Sequence, residues 1–329
     1  MPTTPATPAR PIAILALLGA CACWGLSFPV MHALSMAQSK LLPGVSTWFI
    51  SSWCLTLRFL IAAIIVGAWY LWRGQLRGWT RIEVSQAGGL GVFTALGMLL
   101  QMDGLSYTSA SVSAFITQGY CFFLPVFFAL RDRRLPRWPA ALGCTLVLIG
   151  VGGLSGVDPR NMTLGRGECE TLLAALFFTA QILWAERPQY AGNHMGRVSA
   201  LAFTITGAFL IPIVAITAPS ASALISVYSS GPLLFCLAML TVICTLAGMV
   251  LMFTFQRGVG AIGAAVIYCT EPLFASGMAF VLPVLLSGIL GISYANEQMT
   301  TSLLIGGILV IAANLIVQIK PAVKQSNLA

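Results

Sequence analysis

A single carboxylate stands inside a long apolar stretch in the last quarter of the chain. Glu271 follows Tyr268 by three residues, so the two side chains share one face if this stretch is helical. A carboxylate at the centre of a membrane span costs roughly 2.5–3.5 kcal/mol on insertion scales, so it must face a cavity or a partner. There it can bind an amine or exchange a proton. The alternative is a structural role beside Pro272, where the carboxylate accepts hydrogen bonds from backbone groups freed by the helix break.

Polar and aromatic side chains also interrupt other apolar stretches. Amide and hydroxyl groups inside a bilayer need partners, and a cavity lined by Gln, Tyr and Trp suits an amphipathic solute such as an amino acid or an aromatic metabolite. The alternative is that these groups hold neighbouring helices together, and for Trp24 and Trp184 packing or interfacial anchoring is an equal alternative. The predicted cavity residues are Trp24, Ser27, Phe28, Gln101, Gln118, Tyr120, Gln181, Trp184, Tyr268 and Glu271.

Two further residues have side chains that carry or can gain a charge. His32 is predicted at the outer end of the first apolar stretch, one turn past Phe28. With Glu271 it is a candidate for a proton-linked gate, and an incidental interfacial histidine is the alternative. Arg58 is predicted near the outer end of the second stretch, where snorkelling to the lipid headgroups is favoured over a contact with a substrate.

The overall composition excludes several classes of protein. The chain is 58% hydrophobic and 8% charged, whereas soluble domains carry roughly 25% charged residues. The net charge of +8 lies in short loops beside apolar stretches, which predicts membrane orientation rather than nucleic-acid binding. The nine cysteines form no CxxC pair, so we expect no metal site and no disulfide framework, and no cofactor is expected. The chain contains no nucleotide-binding P-loop, so nucleotide hydrolysis is not expected as an energy source. The expected partners are a small-molecule substrate and membrane lipid.

Ten apolar stretches are long enough for membrane spans, each of which needs about 20 apolar residues. Pro283 is expected to end or kink the ninth, and a half-span after it is an alternative. The predicted spans are residues 12–31, 54–72, 86–103, 109–130, 138–155, 168–185, 198–217, 232–255, 261–283 and 301–319.

The basic residues fall almost entirely on alternate connections between these spans. One side of the membrane holds thirteen of them, and the other side holds Lys40, Arg160 and Arg166. The richer side is expected to be cytoplasmic, so both termini face the cytoplasm, and the plasma membrane, as in a bacterial inner membrane, is the expected location. The thirteen are Arg10, Arg73, Arg77, Arg81, Arg131, Arg133, Arg134, Arg137, Arg187, Arg197, Arg257, Lys320 and Lys324.

Five spans in each half place the second half upside down relative to the first. Inverted repeats with a solute site near the midplane recur in secondary transporters. The sequence therefore predicts an all-α integral membrane protein with ten transmembrane helices in two inverted five-helix repeats. The solute path is expected between spans one, three and four of the first half and spans six, eight and nine of the second.

Short motifs in this order resemble the EamA-type members of the drug/metabolite transporter superfamily. The resemblance implies two EamA units, a central cavity, and export or exchange of small metabolites. The chain departs from the pattern in the long connection 32–53, in Arg131-Asp132, and in an extra stretch over 284–296. The segments that carry the resemblance are Trp24–Pro29, Leu57–Ala63, Tyr107–Ser111, Glu271–Ala275, and Glu297 with Leu304–Gly307.

Charge pattern and resemblance together predict the division of the chain. The parts are a disordered cytoplasmic N-terminus over 1–11, a first EamA repeat over 12–155, an external linker over 156–167, a second EamA repeat over 168–319, and a cytoplasmic tail over 320–329.

The predicted function is that of a secondary transporter that exports or exchanges a small metabolite by alternating access, and not that of an enzyme. One alternative is a multi-span membrane enzyme, for which Asp103, Asp158 and Glu168 are too isolated to form a catalytic cluster. Another is a non-transporting membrane scaffold, which would not need an intramembrane Glu271.

Overall fold

The computed structural model describes residues 10–76, 78–108, 110–133, 165–299 and 301–319, together with a few isolated positions between 134 and 164. Within these residues the chain is helical and contains no strand. Most of the predicted fifth span, most of the predicted linker, and both tails lie outside the described residues.

The described helices are long or short in about equal number, because three of the predicted spans are divided into shorter helical segments. They are α1 (Arg10–Leu41), α2 (Thr47–Trp72), α3 (Arg81–Gly104), α4 (Ala110–Thr117), α5 (Tyr120–Asp132), α6 (Arg166–Ala185), α7 (Met195–Thr217), α8 (Ala221–Ser226), α9 (Gly231–Met239), a π-helical segment (Leu240–Ala247), α10 (Gly248–Phe255), α11 (Gly260–Tyr268), α12 (Glu271–Ala279), α13 (Leu282–Leu290) and α14 (Thr301–Ile319), with short 3₁₀ turns at Pro188–Tyr190 and Gln256–Gly258.

Seven of the described helical stretches are long and apolar enough to cross a membrane. They correspond to predicted spans one, two, three, six, seven, eight and nine. The total of ten spans stays a prediction. The seven are Arg10–Leu41, Thr47–Trp72, Arg81–Gly104, Arg166–Ala185, Met195–Thr217, Gly231–Gly258 and Gly260–Ala279.

The long connection predicted over 32–53 is wrong, because the first two helices are longer than their most apolar parts. α1 continues to Leu41 and α2 begins at Thr47. Residues 32–41 contain neither Gly nor Pro, so nothing in the backbone ends the helix before the Pro43-Gly44 turn, where Gly44 has φ +80°. His32 therefore lies within α1 rather than at its end.

The alternative of a half-span after the ninth span corresponds to a short helix at the start of the stretch 284–296. Pro283 lies in the first turn of α13, a separate helix of nine residues, or roughly 13 Å by the α-helical rise. α13 ends at Gly291 in the left-handed conformation, with φ +64°. Such a helix is too short to cross a bilayer.

Spans four and nine are each broken near their middle, and the two breaks meet. α4 ends at Thr117 and α5 begins at Tyr120. α11 ends at Tyr268, and Pro272 in the first turn of α12 lacks the N–H that a continuous helix would need. Cys121 Sγ and Cys269 Sγ lie 2.8 Å apart, so the two interruptions adjoin in the protein interior.

Close backbone packing joins the first part of the chain to the second. α2 lies against α7, with the Phe59 and Phe203 rings 5.9 Å apart. α3 lies against both α6 and α7, and Thr206 Oγ1 donates to the Gly91 carbonyl at 3.1 Å. Small residues at such crossings allow helix backbones to approach one another, which is how helices associate in lipid.

Buried ion pairs connect helix ends. At one end of α3, Glu83 completes a capping box with Thr80 and accepts from the His194 N–H and from Arg197 Nε, each at 3.0 Å. At the other end, Arg166 donates to the buried Asp103 at 2.6 Å. α3 is therefore tied to the start of α7 at one end and to the start of α6 at the other.

We expect Glu83→Gln to lower the free energy of unfolding by about 3 kcal/mol, because Glu83 is the buried acidic member of its ion pair with Arg197 and also accepts the His194 N–H. Thermal unfolding of the purified protein in detergent measures this loss. The matched control is Asp132→Asn, because the Asp132–Arg131 pair is exposed and its atoms are 3.8 Å apart. Equal stability of the two variants would contradict the assigned role of Glu83.

Candidate functional site

A cavity of about 590 Å³, counting its open side, lies among the helices that the sequence placed around a solute path. Its walls come from α1, α3, α4, α5, α6, α10, α11 and α12, and in addition from α2. The lining residues are Trp24, Ser27, Arg58, Met98, Gln101, Thr117, Tyr120, Phe178, Gln181, Ile182, Met249, Met252, Tyr268 and Glu271.

Seven of the ten predicted cavity residues line this one space. They come from regions far apart in the sequence, and only tertiary packing brings them together. The seven are Trp24, Ser27, Gln101, Tyr120, Gln181, Tyr268 and Glu271.

The other three predicted residues lie elsewhere. Phe28 is buried in the hydrophobic core. Trp184 donates its Nε1 proton to the Gln86 carbonyl at 3.2 Å and stacks under the Arg187 guanidinium, so its polar group is satisfied near the end of α6. Gln118 is fully buried behind the cavity wall and accepts from the Tyr120 hydroxyl at 2.6 Å. Their polarity and spacing resemble those of the lining residues, so sequence alone does not separate the two groups.

Glu271 is the first residue of α12 and is only 7% exposed. The positive end of the α12 helix dipole lies at this position and favours a negative charge. Within the described part of the chain, no backbone N–H donates to the carboxylate. This finding weighs against the purely structural role beside Pro272, in which freed backbone groups hold the side chain.

Aromatic rings pack together on the wall beside Glu271. The Trp24 and Tyr268 rings meet edge to face at 5.3 Å, and the Tyr120 and Tyr268 rings do so at 6.4 Å. Rings in this arrangement offer faces that bind apolar groups and cations. The wall can thus hold the body of an amphipathic solute next to a carboxylate.

Amide side chains supply the neutral polar part of the lining. Gln101 Nε2 donates to Thr117 Oγ1 at 2.9 Å, which joins α3 to α4. Gln181 Nε2 faces the Met252 sulfur at 4.0 Å, and a thioether is a weak acceptor. Gln181 therefore keeps donor capacity for a solute, whereas Gln101 is already used in holding helices together.

A chain of hydrogen bonds leads from the cavity to the connection after α6. The Tyr268 hydroxyl donates to Gln256 Oε1 at 3.1 Å, and Gln256 Nε2 donates to Glu186 Oε1 at 3.0 Å. Burial raises the pKa of Glu186, while the Gln256 hydrogen bond and the charge of Arg257 oppose that shift. Any movement of Tyr268 must therefore break these hydrogen bonds or move Gln256 and Glu186 with it.

Arg58 is the lining residue that the sequence interpretation placed wrongly. Its side chain is 2% exposed and does not snorkel to the headgroups. Because α2 begins at Thr47, seven residues before the predicted start, Arg58 lies well inside the helix. The aromatic and apolar character of residues 47–53 was the signal for this longer helix.

His32 lies away from the described cavity lining. Its ring contacts that of Tyr294 at 5.0 Å, in the segment that follows α13. The role of His32 as a gate stays a prediction. In the described residues, no group of three or more His, Cys, Asp or Glu side chains is arranged to hold a metal ion.

Residues 11–156 match the model of the EamA-like transporter family. A relative from Archaeoglobus fulgidus, named "Uncharacterized transporter", is 28% identical over 171 residues. That match spans 52% of this chain and 46% of the relative, so less than half of the relative's length is covered.

A solved structure titled "Crystal structure of protein" superposes with a TM-score of 0.63 and 16% sequence identity, over 94% of this chain and 98% of the other. At that identity the likeness shows the fold alone. With seven candidate spans and a helical fold, the chain is a multi-pass membrane protein. Residues 11–156, which contain the Trp24–Pro29 and Leu57–Ala63 motifs, are thus similar to the EamA-like transporter family.

Proposed function

We propose that the protein is a secondary membrane transporter that exports or exchanges a small metabolite, such as an amino acid or an aromatic compound, through the cavity around Glu271. The observation that carries this proposal is that two buried charged side chains, Glu271 and Arg58, line one cavity among helices that otherwise bury apolar surface. Ionisable residues inside membrane proteins usually mark substrate or ion pathways. The name of the Archaeoglobus fulgidus relative supports the same function.

The helix contacts support two inverted repeats of five spans. In such an arrangement, span two pairs with span seven, and α2 does pack on α7. Spans four and nine cross at their breaks. The first half of span four, α4, contacts the second half of span nine, α12, and α5 contacts α11. The proposed repeats cover 12–155 and 168–319.

Contacts between helix ends support the proposed sidedness. Glu83 meets Arg197 between two ends that the charge pattern assigns to the cytoplasm. Lys40 Nζ donates to the Gly291 carbonyl at 2.7 Å between two ends assigned to the outside. We therefore retain ten spans, cytoplasmic termini and the plasma membrane as parts of the proposal.

Transport by alternating access requires contacts that close each side in turn. The Arg166–Asp103 pair on the proposed outer side and the Glu186–Gln256–Tyr268 chain on the proposed inner side are suited to this purpose. Energy would come from a proton or solute gradient. Glu271 is the proposed proton-exchanging group, with His32 as a further candidate.

Uptake and counterflow in liposomes containing the purified protein test the proposal. A panel of amino acids and cationic drugs is offered outside, with and without the same unlabelled solute inside. We expect uptake of at least one panel member and faster labelled uptake into preloaded liposomes, because a carrier that alternates exchanges solutes. Uptake that is linear in concentration and indifferent to preloading would overturn alternating access and favour a pore. A membrane enzyme or scaffold would show no uptake.

A further inference from the structure

Arg58 presents a positive charge to the cavity that Glu271 also lines. Its Nε donates to Thr245 Oγ1, and its Nη1 contacts the Met31 sulfur at 3.5 Å. Both partners are neutral, and a guanidinium carries five N–H donors. These two contacts use only part of the donor capacity of the guanidinium, and neither of them balances its positive charge.

No carboxylate in the described part of the chain forms an ion pair with Arg58. A buried cation without an anion is costly unless another group compensates it. Glu271 faces the same space without pairing with Arg58. The two side chains therefore line the same cavity without forming an ion pair with each other.

A second polar group lies beside the Glu271 carboxylate. The Gln118 side chain is close enough to interact with it, and Gln118 Nε2 is buried without another hydrogen-bond partner among the described residues. In the same lining, the Trp24 and Tyr268 rings and Met252 supply an apolar surface. The cavity lining therefore combines an acidic group at Glu271, a basic group at Arg58 and an apolar wall.

We propose that this site binds a dipolar solute, with its ammonium group at Glu271, its carboxylate at Arg58 and its apolar body against the aromatic wall. The inference rests on the proposed function in that it takes the same cavity as the binding site. It adds that the substrate carries both charges, and that Arg58 is the residue that selects for the anionic group.

Ligand binding to the purified full-length protein tests this selection without relying on transport. Thermal stabilisation in detergent yields dissociation constants for two solute series: leucine with isoamylamine and isocaproate, and phenylalanine with phenethylamine and hydrocinnamate. Within each series the body is kept while one charge is removed. We expect at least one of the two amino acids to bind about tenfold or more tightly than both its amine and its acid, because each truncated analogue leaves one buried charge unpaired.

Variants assign the two charges to residues. Arg58→Gln should remove the advantage of the amino acid over its amine, and Glu271→Gln should remove its advantage over its acid. Arg58→Lys keeps the charge and should keep the preference for the amino acid. The matched control is Arg73→Gln, since Arg73 is exposed and stacks on Trp69, and it should leave every ratio unchanged.

Three results would overturn the inference: an amine or acid that binds as tightly as its amino acid, no binding by either amino acid, or an Arg58→Gln variant that keeps the full preference. If Arg58→Gln does not fold, the wild-type ratios and Arg58→Lys still decide. Uptake of solutes irrespective of their charges would support transport and overturn this inference. Charge-selective binding without any uptake would support this inference and overturn transport.

Discussion

We expect Glu271→Gln to reduce liposome uptake by about 30-fold or more at solute concentrations below half-saturation. The Glu271 side chain is 7% exposed and lines the cavity, so its replacement removes the only carboxyl group that the described lining offers. Losing one partner of a buried charged contact costs about 2 kcal/mol at least, which corresponds to this factor. Initial rates of labelled uptake measure the effect.

Proton exchange at Glu271 makes a separate prediction about pH. If a proton and a substrate amine compete for the carboxylate, wild-type uptake responds to a pH gradient across the liposome membrane, and uptake by Glu271→Gln does not. Asp132→Asn serves as the control, because Asp132 is exposed and is not part of the described cavity lining. Uptake that stays intact in Glu271→Gln and is insensitive to pH in the wild type would overturn proton coupling at this residue.

We expect Gly25→Ala to lower the free energy of unfolding by about 1–3 kcal/mol and to reduce uptake as well. A Cβ atom at Gly25 would lie 2.7 Å from Phe274 Cβ and 2.8 Å from the Ala275 backbone nitrogen. Neither atom can move without the whole of α12, so α1 and α12 must separate. That displacement shifts Trp24 relative to Glu271 across the cavity.

Gly67→Ala is the matched control for this substitution. Gly67 also lies inside a membrane helix, but a Cβ there would meet nothing within 4 Å. Alanine is the better helix former, so this variant should be neutral or slightly more stable. Thermal unfolding in detergent compares the two. A Gly25→Ala variant as stable as Gly67→Ala would show that α1 and α12 are not held at this distance in solution.

The predicted cavity residues that line the space around Glu271 have a common physical origin. Gln101, Gln181, Tyr268 and Glu271 are polar groups in stretches that must exclude water, so each needed a partner or a cavity. That requirement can be read without coordinates. It does not distinguish a cavity from a helix contact, which is why Gln118 and Trp184 were grouped with them although both lie outside the lining.

Arg58 is the reverse case, because it lines the cavity although the sequence analysis did not place it there. Hydropathy defines the second span by its most apolar residues and places its start at Cys54, which predicts that Arg58 lies close to the membrane surface. Helix ends depend on where backbone hydrogen bonding stops, and here that occurs at Thr47. The residue that we now assign to anion binding was therefore misplaced by about two helical turns.

The sequence by itself determined the environment, the helical class and the polar groups that need an explanation, because composition sets the free energy of each segment in water and in lipid. Proline alone did not determine where helices break, since α12 begins beside Pro272 whereas Pro29 and Pro212 lie inside continuous helices. Only the tertiary structure decided which polar groups share a cavity. That choice depends on which helix faces meet, and close contacts such as Gly25 against Phe274 set those faces between residues almost 250 positions apart.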